Sequence, residues 1–313
     1  MTDYPHRDGQ LSDILFSIVI VCYNQDRFVR QTVESSLDQE FPGKEVIVVD
    51  DCSSDSTVDV LNTFGDSIIL ARLPINRGVA AARNHGASLA SGEYLVFLDG
   101  DDVLMPWALE TYRRCIVARH PKLMFGRCLK FRGKLPQADP PRDLQFIEYE
   151  NFFAKDRPCV FNTSTLVVDR CTFWAADGWS PNIFYQDIQD LMTKLGTSGK
   201  MILVLTPDTV WYRMHSTNAV NKISPFVEGI YVLLGKARAG LYPGGQERWV
   251  ERSAWFGGLI FYWTKTAMRA GLFRDGFFLL ITGWWMILVA IIRRSTAWLV
   301  GRKPVEILPW QRD

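Results

Sequence analysis

The acidic turn Asp99-Gly100-Asp101-Asp102 contains residue types that can bind a cation or transfer a proton. Three carboxylates within four residues repel one another, and burying their charge is costly unless a cation neutralises it. Hard oxygen ligands of this kind suit Mg²⁺ or Mn²⁺, which are typically shared with the phosphates of a substrate. The turn is therefore a candidate divalent-cation site. The alternative is a turn that only caps the helix after it.

Two further acidic pairs have both a functional and a structural interpretation. Asp50 and Asp51 directly follow the apolar segment 46–49, where a carboxylate also caps a following helix. Asp187 and Asp190 lie near the start of a predicted helix, which acidic side chains stabilise through the helix dipole. The pattern alone leaves both interpretations open for each pair.

The segment 76–86, NRGVAAARNHG, combines small residues with arginine. Small residues let a backbone approach a ligand closely, and the planar guanidinium of Arg83 suits a phosphate or a nucleobase. Most of the alanines and glycines also fit a helix packed against a sheet, which is our preferred interpretation of them. Arg83 is therefore the candidate ligand-binding side chain of this segment.

Short β-branched segments alternate with helical patterns in the part of the chain that carries these residues. The run FSIVIVC at 16–22 is typical of a strand buried on both faces of a parallel sheet. The same criteria predict further strands at 45–49, 68–71, 94–98, 123–131 and 165–169, and helices at 28–37, 53–61, 78–90, 106–120 and 187–195. The alternation predicts a doubly wound α/β fold, whose ligands bind beyond the carboxyl ends of the strands.

Five motifs in order over residues 14–216 resemble glycosyltransferase family 2, a group of inverting, GT-A fold enzymes that use nucleotide sugars. The motifs are SIVIVCYN at 17–24, VVDDCS at 48–53, NRG with ARNHG within 76–86, LDGDD at 98–102 and YRMH at 212–215. The resemblance implies a GT-A type, doubly wound, mainly parallel sheet. It also implies a donor site at the carboxyl ends of the strands.

The resemblance further implies roles for individual residues. Asp51 is expected to contact the nucleobase and Asp99 the ribose. Asp101 is expected to bind Mn²⁺ or Mg²⁺, and His215 has the position of a late histidine close to the metal. The other residues that we expect to bind the nucleotide sugar are Cys22, Tyr23, Asn24, Asn76, Arg83 and Gly100.

The catalytic base is where the chain departs from the family pattern. The family usually has Glu-Asp at a helix start, whereas 185–191 is YQDIQDL, with Gln186 in place of the glutamate. Alignment on the following leucine would put Ile188 at the base position, and an isoleucine cannot accept a proton. We therefore expect Asp187 to be the general base, with Asp190 as the second candidate.

The last sixty residues differ in composition from the rest of the chain. The whole chain of 313 residues has a net charge of +1, which argues against a nucleic-acid partner. Residues 254–313, by contrast, contain eight Lys or Arg against three Asp or Glu, and seven of the eleven tryptophans follow residue 248. Tryptophan combined with basic residues is typical of a membrane interface.

The uncharged run 276–292 decides how this region meets a membrane. It has 17 residues, at the lower edge of the roughly 17 to 25 that span a bilayer. Basic residues flank it on both sides, which argues against a simple crossing. We expect a catalytic domain at 1–220 and a helical region at 221–313 that lies on or in the membrane. The alternatives are one true span and an oligomer interface.

These features predict a metal-dependent, inverting glycosyltransferase that moves one sugar, by family habit from a UDP-sugar, to a lipid-linked or surface-glycan acceptor. QERW at 246–249 is one residue short of the Gln-x-x-Arg-Trp motif of processive synthases, which favours single addition.

The polar segment 1–10 lacks the pattern of a secretory signal and predicts the cytoplasmic face of the inner (plasma) membrane. The alternative, raised by Gln186, is a catalytically silent sugar-nucleotide-binding or scaffolding protein.

Overall fold

The computed structural model describes residues 16–137, 139–155, 162–181, 183, 185–216, 218, 223–300 and 303–310, with only the backbone described at 297–300. The polar segment 1–10 and the predicted domain boundary at 220 lie outside the described residues. The strands are β1 Phe16–Cys22, β2 Lys44–Asp50, β3 Ile69–Arg72, β4 Tyr94–Asp99, β5 Val103–Leu104, β6 Leu123–Phe125, β7 Cys128–Phe131, β8 Asp143–Tyr149, β9 Leu166–Asp169, β10 Met201–Thr206, β11 Val210–Arg213 and β12 Glu306–Pro309. The helices are α1 Val29–Leu37, α2 Thr57–Asn62, α3 Val79–Leu89, α4 Ala108–Arg119, α5 Arg170–Ala175, α6 Asp187–Lys194, α7 Ile223–Arg238, α8 Trp249–Arg269 and α9 Phe273–Val300.

A mainly parallel sheet forms the centre of the molecule. Within the described part of the chain it has nine strands in the order β12-β8-β10-β6-β9-β4-β1-β2-β3. Only β8 and β9 run against the direction of the other seven. A second sheet, β5-β11-β7, lies beside it. The α/β fold class expected from the sequence is confirmed.

The registers of the first parallel strands bring two of the acidic groups together. Cys22 lies opposite Asp50 on the neighbouring strand β2, and Val21 lies opposite Asp99 on β4. All seven residues of β1 are buried, because helices cover both faces of this part of the sheet. The carboxylates at 50–51 and 99–102 therefore meet at one edge of the sheet.

Helix α3 explains the small residues of the NRGVAAARNHG segment. A Cβ atom added at Gly86 would lie 2.4 Å from Val19 Cγ1 on β1, so the helix could not pack as closely with a larger residue. Ala80, Ala82 and Ala87 are also buried on this helix. The interpretation of these residues as packing against the sheet is confirmed.

Two predicted elements differ from the structure. The helix expected at 53–61 begins only at Thr57, because Ser53 N donates to the Asp50 carboxylate and keeps the preceding loop extended across the strand end. The strand expected at 123–131 is divided at Gly126 into β6 and β7, which belong to different sheets. A Cβ at Gly126 would lie 2.0 Å from Thr209 Oγ1, so the chain turns where only glycine fits.

Helices α8 and α9 form an antiparallel hairpin. Gly257 on α8 contacts the backbone at Met286 on α9, and Gly283 on α9 packs on Ile260 of α8. Near the start of α8, Trp255 packs edge to face on Phe152, with ring centroids 4.9 Å apart. After α9, Glu306 of β12 pairs with Phe146 of β8. β12 therefore belongs to the central sheet, although its residues lie within the predicted helical region 221–313.

Helix α9 is long and apolar. Among the described residues, one helix, Phe273–Thr296 within α9, is long and apolar enough to cross a membrane. Six of these 24 residues are buried inside the protein. Its outer face is exposed and carries Phe277, Ile281, Trp284 and Leu288.

Gly257→Ala should destabilise the hairpin, because the added Cβ would lie 1.9 Å from the carbonyl oxygen of Met286. We expect the free energy of unfolding to fall by about 1–3 kcal/mol, as for other overpacked sites. Gly235→Ala on α7 is the matched control, since no described atom lies within 4 Å of its added Cβ and alanine favours a helix by about 1 kcal/mol. Urea unfolding followed by circular dichroism compares the two variants. Equal effects would contradict the close approach of the helices.

Candidate active site

One large cavity, of about 1470 Å³, joins the acidic edge of the sheet to the α8–α9 hairpin. Ten of the twelve site residues expected from the sequence line it: Cys22, Tyr23, Asn24, Asp51, Asn76, Arg83, Asp99, Asp101, Asp187 and His215. Gly100 and Asp190 are not among its lining residues. The fold therefore brings residues from six separate segments of the chain to one site.

Arg83 links two of the acidic groups. Its Nη1 donates to Asp187 Oδ2 at 2.5 Å and its Nη2 donates to Asp99 Oδ1 at 2.7 Å. The guanidinium is buried and lies 4.7 Å from the ring of Trp179. Burial alone would lower the pKa of Arg83, but the charges of Asp99 and Asp187 outweigh it and raise that pKa. Arg83 is therefore a fixed cation that holds two carboxylates in place.

Asp187 keeps one oxygen for other partners. Its Oδ2 is taken by Arg83, whereas its Oδ1 accepts no hydrogen bond within the described part of the chain. The side chain retains 13% of its exposure and faces the cavity. This carboxylate can accept a proton from a ligand hydroxyl while Arg83 fixes its orientation.

Asp190 is held in the protein core. Its carboxylate is fully buried and accepts hydrogen bonds from Ser180 Oγ at 2.6 Å, Lys236 Nζ at 2.5 Å and Tyr242 OH at 2.7 Å. Burial, followed by the charge of Asp190, raises the pKa of Tyr242 above its usual range. The structure thus does not bring Asp190 to the cavity, and its three partners give it a structural role.

Gln186, which stands where the family usually has a glutamate, also lies away from the cavity. Its side chain is fully buried, and its Nε2 donates to the carbonyl oxygen of Phe226 on α7 at 3.0 Å. Together with the Lys236–Asp190 pair, this contact ties α6 to α7. Glutamine in place of the family's glutamate at this position therefore removes no carboxylate from the lining of the cavity.

The acidic turn after β4 has one residue on the cavity and one beneath it. Asp101 Oδ2 lies 2.8 Å from His215 Nε2, and the His215 ring stacks on Phe28 with centroids 4.8 Å apart. Asp102 is fully buried and accepts hydrogen bonds from Ser164 Oγ and Arg213 N. Burial, and then the charges of Asp101 and Asp99, raise the pKa of Asp102 well above its usual range.

Asp101 and His215 fit a divalent cation that is shared with a ligand. Burial and the charge of Asp99 raise the pKa of Asp101, although His215 opposes them, so added positive charge would stabilise the ionised group. Among the described residues, no group of three or more His, Cys, Asp or Glu is arranged to hold a metal ion. A cation that also binds a diphosphate needs only one or two protein ligands. Asp101 and His215 are therefore the described residues that could hold Mn²⁺ or Mg²⁺ together with a ligand diphosphate.

Asp51 and Gly100 shape the site through the backbone. Asp51 Oδ1 accepts from Arg77 N and Oδ2 accepts from Gly78 N, both at 2.8 Å, which fixes the loop before α3. A Cβ at Gly100 would lie 2.3 Å from Gln25 Oε1 and 2.8 Å from Cys22 Cβ. Gly100 therefore allows close packing under the cavity floor.

Sequence analysis missed the wall that the C-terminal helices contribute. The cavity is also lined by Phe152, Lys155, Tyr185, Phe226, Trp255, Trp263, Lys265, Arg293 and Arg294. The available signal was the basic, tryptophan-rich composition after residue 248, which sequence analysis interprets as a membrane or oligomer interface. Some of these residues line the cavity instead.

The match to known families agrees with this geometry. Residues 17–171, just under half of the chain, match the family described as Glycosyl transferase family 2. This part of the chain is therefore a glycosyltransferase family 2 domain, and the resemblance seen in the five motifs is confirmed.

Individual relatives match shorter segments. The UDP-Glc:alpha-D-GlcNAc-diphosphoundecaprenol beta-1,3-glucosyltransferase WfaP of Escherichia coli is 43% identical over 89 residues, which cover 28% of this chain and 36% of WfaP. The poly(ribitol-phosphate) beta-glucosyltransferase of Bacillus spizizenii is 27% identical over 167 residues, which cover 50% of this chain and 26% of that enzyme. The chain spans less than half the length of the curated relatives it matches.

The fold also matches a solved structure. TarS 1–349 of S. aureus, crystallised with UDP-GlcNAc, superposes with a TM-score of 0.62 over 78% of this chain and 71% of TarS, at 18% sequence identity. The likeness extends beyond residues 17–171, so the two chains share the fold over most of their length.

Proposed function

We propose that the protein transfers one sugar from a UDP-sugar to a hydroxyl of a lipid-linked or surface-glycan acceptor, with inversion at the anomeric carbon. The observation that carries this proposal is the Arg83 bridge, which sets Asp187 into the same cavity as Asp99 and Asp101. The UDP-sugar named for WfaP and the UDP-GlcNAc bound by TarS support uracil as the donor base.

The proposed reaction uses Asp187 as the general base. Its free Oδ1 accepts the proton of the acceptor hydroxyl as that oxygen forms a bond to the anomeric carbon. The bond from the anomeric carbon to the diphosphate oxygen breaks on the opposite face, and UDP leaves. Arg83 keeps the carboxylate oriented through Oδ2 throughout. A divalent cation at Asp101 and His215, when bound, would supply positive charge to the leaving diphosphate.

The buried position of Gln186 weighs against a catalytically silent protein. Its amide contacts α7 and does not face the donor site, so its lack of charge leaves the proposed base intact. UDP release from a panel of UDP-sugars, with and without a lipid extract, separates the two functions. UDP release that depends on the lipid extract supports sugar transfer. A protein that binds a UDP-sugar but releases no UDP, with or without extract, would contradict sugar transfer.

The proposed location is the cytoplasmic face of the inner membrane, and the hairpin supports attachment from one side of the bilayer. The start of α8 packs on Phe152, and the chain after α9 pairs with β8, so both ends of the hairpin lie at the same domain. A single crossing by α9 would separate these ends across the bilayer. The exposed apolar side chains of α9 suit insertion into one leaflet, or coverage by a second copy of the chain.

Asp101→Asn should weaken UDP binding in the presence of Mn²⁺ by about tenfold or more, because it removes the charge of a proposed metal ligand. Without metal, the variant and the wild type should bind UDP alike. Asp59→Asn removes the same charge from the exposed surface of α2 and serves as the control. Titration of UDP with and without EDTA measures the difference. Full Mn²⁺-dependent binding by the Asp101 variant would contradict the metal assignment.

A further inference from the structure

The wall of the cavity formed by the C-terminal helices is basic. Lys265 and Arg294 line it and form no hydrogen bond or ion pair within the described part of the chain. Arg294 Nη2 lies 3.1 Å from the position of a Cβ at Gly258, so the guanidinium lies directly over α8. Glu251, the acid that α8 contributes to the cavity, is paired with Arg248 at 3.0 Å. Two uncompensated cations therefore face the cavity from this side.

Two further basic residues, Lys155 and Arg293, line the cavity beside them. Lys155 Nζ lies 5.6 Å from the Trp255 ring centroid, and Arg293 donates to the carbonyl oxygen of Phe153. The wall as a whole, defined by Lys155, Lys265, Arg293 and Arg294, is called the basic wall below.

The edge of the central sheet brings the reverse charge to the same cavity. Asp51, Asp99, Asp101 and Asp187 line it, with Arg83 between two of them. A donor diphosphate on that side needs a cation to screen these acids. The basic wall could hold an anion with no added metal, so it is suited to a second phosphate-bearing ligand, distinct from the donor.

Aromatic rings connect the base to this wall. Tyr185, two residues before Asp187, lies 5.1 Å from Phe226, and Phe226 stacks on Trp263 of α8 at 4.6 Å. Phe261 and Tyr262 of α8 line the cavity and are at the same time more than half exposed, so they form an apolar exit from it. Ile291 and Ile292 of α9 are also exposed.

We propose that the basic wall binds the diphosphate of a lipid-linked acceptor. The sugar would lie along the aromatic rings towards Asp187, and the hydrocarbon chain would leave over the exposed apolar side chains of α8 and α9. The charge complementarity and the apolar exit select this ligand, because a soluble glycan needs neither. The inference rests on the proposed function, of which it names the acceptor class.

Farnesyl diphosphate, titrated against the full chain in detergent, tests the basic wall. Lys265→Gln combined with Arg294→Gln should weaken its binding by about tenfold per lost charge. Arg269→Gln combined with Arg274→Gln removes two charges from the same hairpin outside the cavity and should leave binding unchanged. Equal losses in both double variants, or no loss in the first, would overturn the proposal.

Two competitors identify the source of the anion. Inorganic diphosphate and phosphatidylglycerol vesicles should each compete weakly. Inorganic diphosphate lacks the hydrocarbon chain, and phosphatidylglycerol lacks the diphosphate. Competition by either as strong as that of unlabelled farnesyl diphosphate would overturn a lipid-diphosphate site. UDP titration of the same samples reports on the donor side separately. A wild type that bound no UDP would contradict the proposed function, whereas a wild type that bound UDP but no farnesyl diphosphate would contradict only the acceptor site.

Discussion

Asp187→Asn should lower the rate of sugar transfer by about 10² to 10⁴, the range lost when a general base is removed. Asparagine keeps an oxygen that can accept from Arg83 Nη1, so the Arg83 bridge and the fold should persist. UDP affinity should therefore stay close to that of the wild type. Turnover with saturating donor, combined with UDP titration, separates lost proton transfer from lost binding.

Asp190→Asn is the matched control, since it makes the same change three residues further along α6. It should reduce stability because Asp190 balances the charge of Lys236 in the core. The folded fraction should nevertheless keep its specific activity. A folded but inactive Asp190 variant, combined with an active Asp187 variant, would show that the other acid of α6 is the base.

Lys236→Met should lower the free energy of unfolding by about 3–5 kcal/mol, the cost of removing one partner from a buried ion pair. Asp190 is fully buried and would keep only the neutral donors Ser180 and Tyr242. Because Asp190 lies on α6 and Lys236 on α7, loss of this ion pair should also weaken the contact between α6, which carries Asp187, and α7. Chemical unfolding followed by tryptophan fluorescence measures the change.

Lys200→Met provides the comparison for this variant. Lys200 pairs with Glu148 at 3.5 Å, but its side chain is half exposed. Exposed pairs contribute about 0–1 kcal/mol, so this variant should be close to the wild type. If both lysine variants lost the same stability, burial of the Asp190 pair would not be the cause.

The central strands could be predicted because each is a continuous apolar segment that ends at a polar turn. β1, β2 and β4 agree with the sequence prediction to within one residue at either end. The division at Gly126 could not be predicted, since it depends on Thr209 and Tyr112 from distant segments. β12 was missed for the same reason, because its partner β8 is far away in the chain.

The candidate site was predictable where it depends on the edge of a parallel sheet. The acids after β2 and β4 had to meet there once the strands were parallel and in register. The choice between Asp187 and Asp190 depends on which distant cation each one reaches: Arg83 for the first and Lys236 for the second. Local pattern contains no information about such partners. The basic wall was likewise hidden, because composition does not tell which side of α8 and α9 faces inward.

The position of β12 has a consequence for synthesis of the protein. β8 pairs with β10 on one side and with β12 on the other. The ribosome makes β12 after the whole α8–α9 hairpin, so one edge of β8 stays unpaired for about ten seconds at usual rates of chain growth. An open strand edge is a template for association with other chains. A hairpin that reached the bilayer during this interval would hold the unfinished sheet at the membrane surface, apart from other nascent chains, until its last strand arrived.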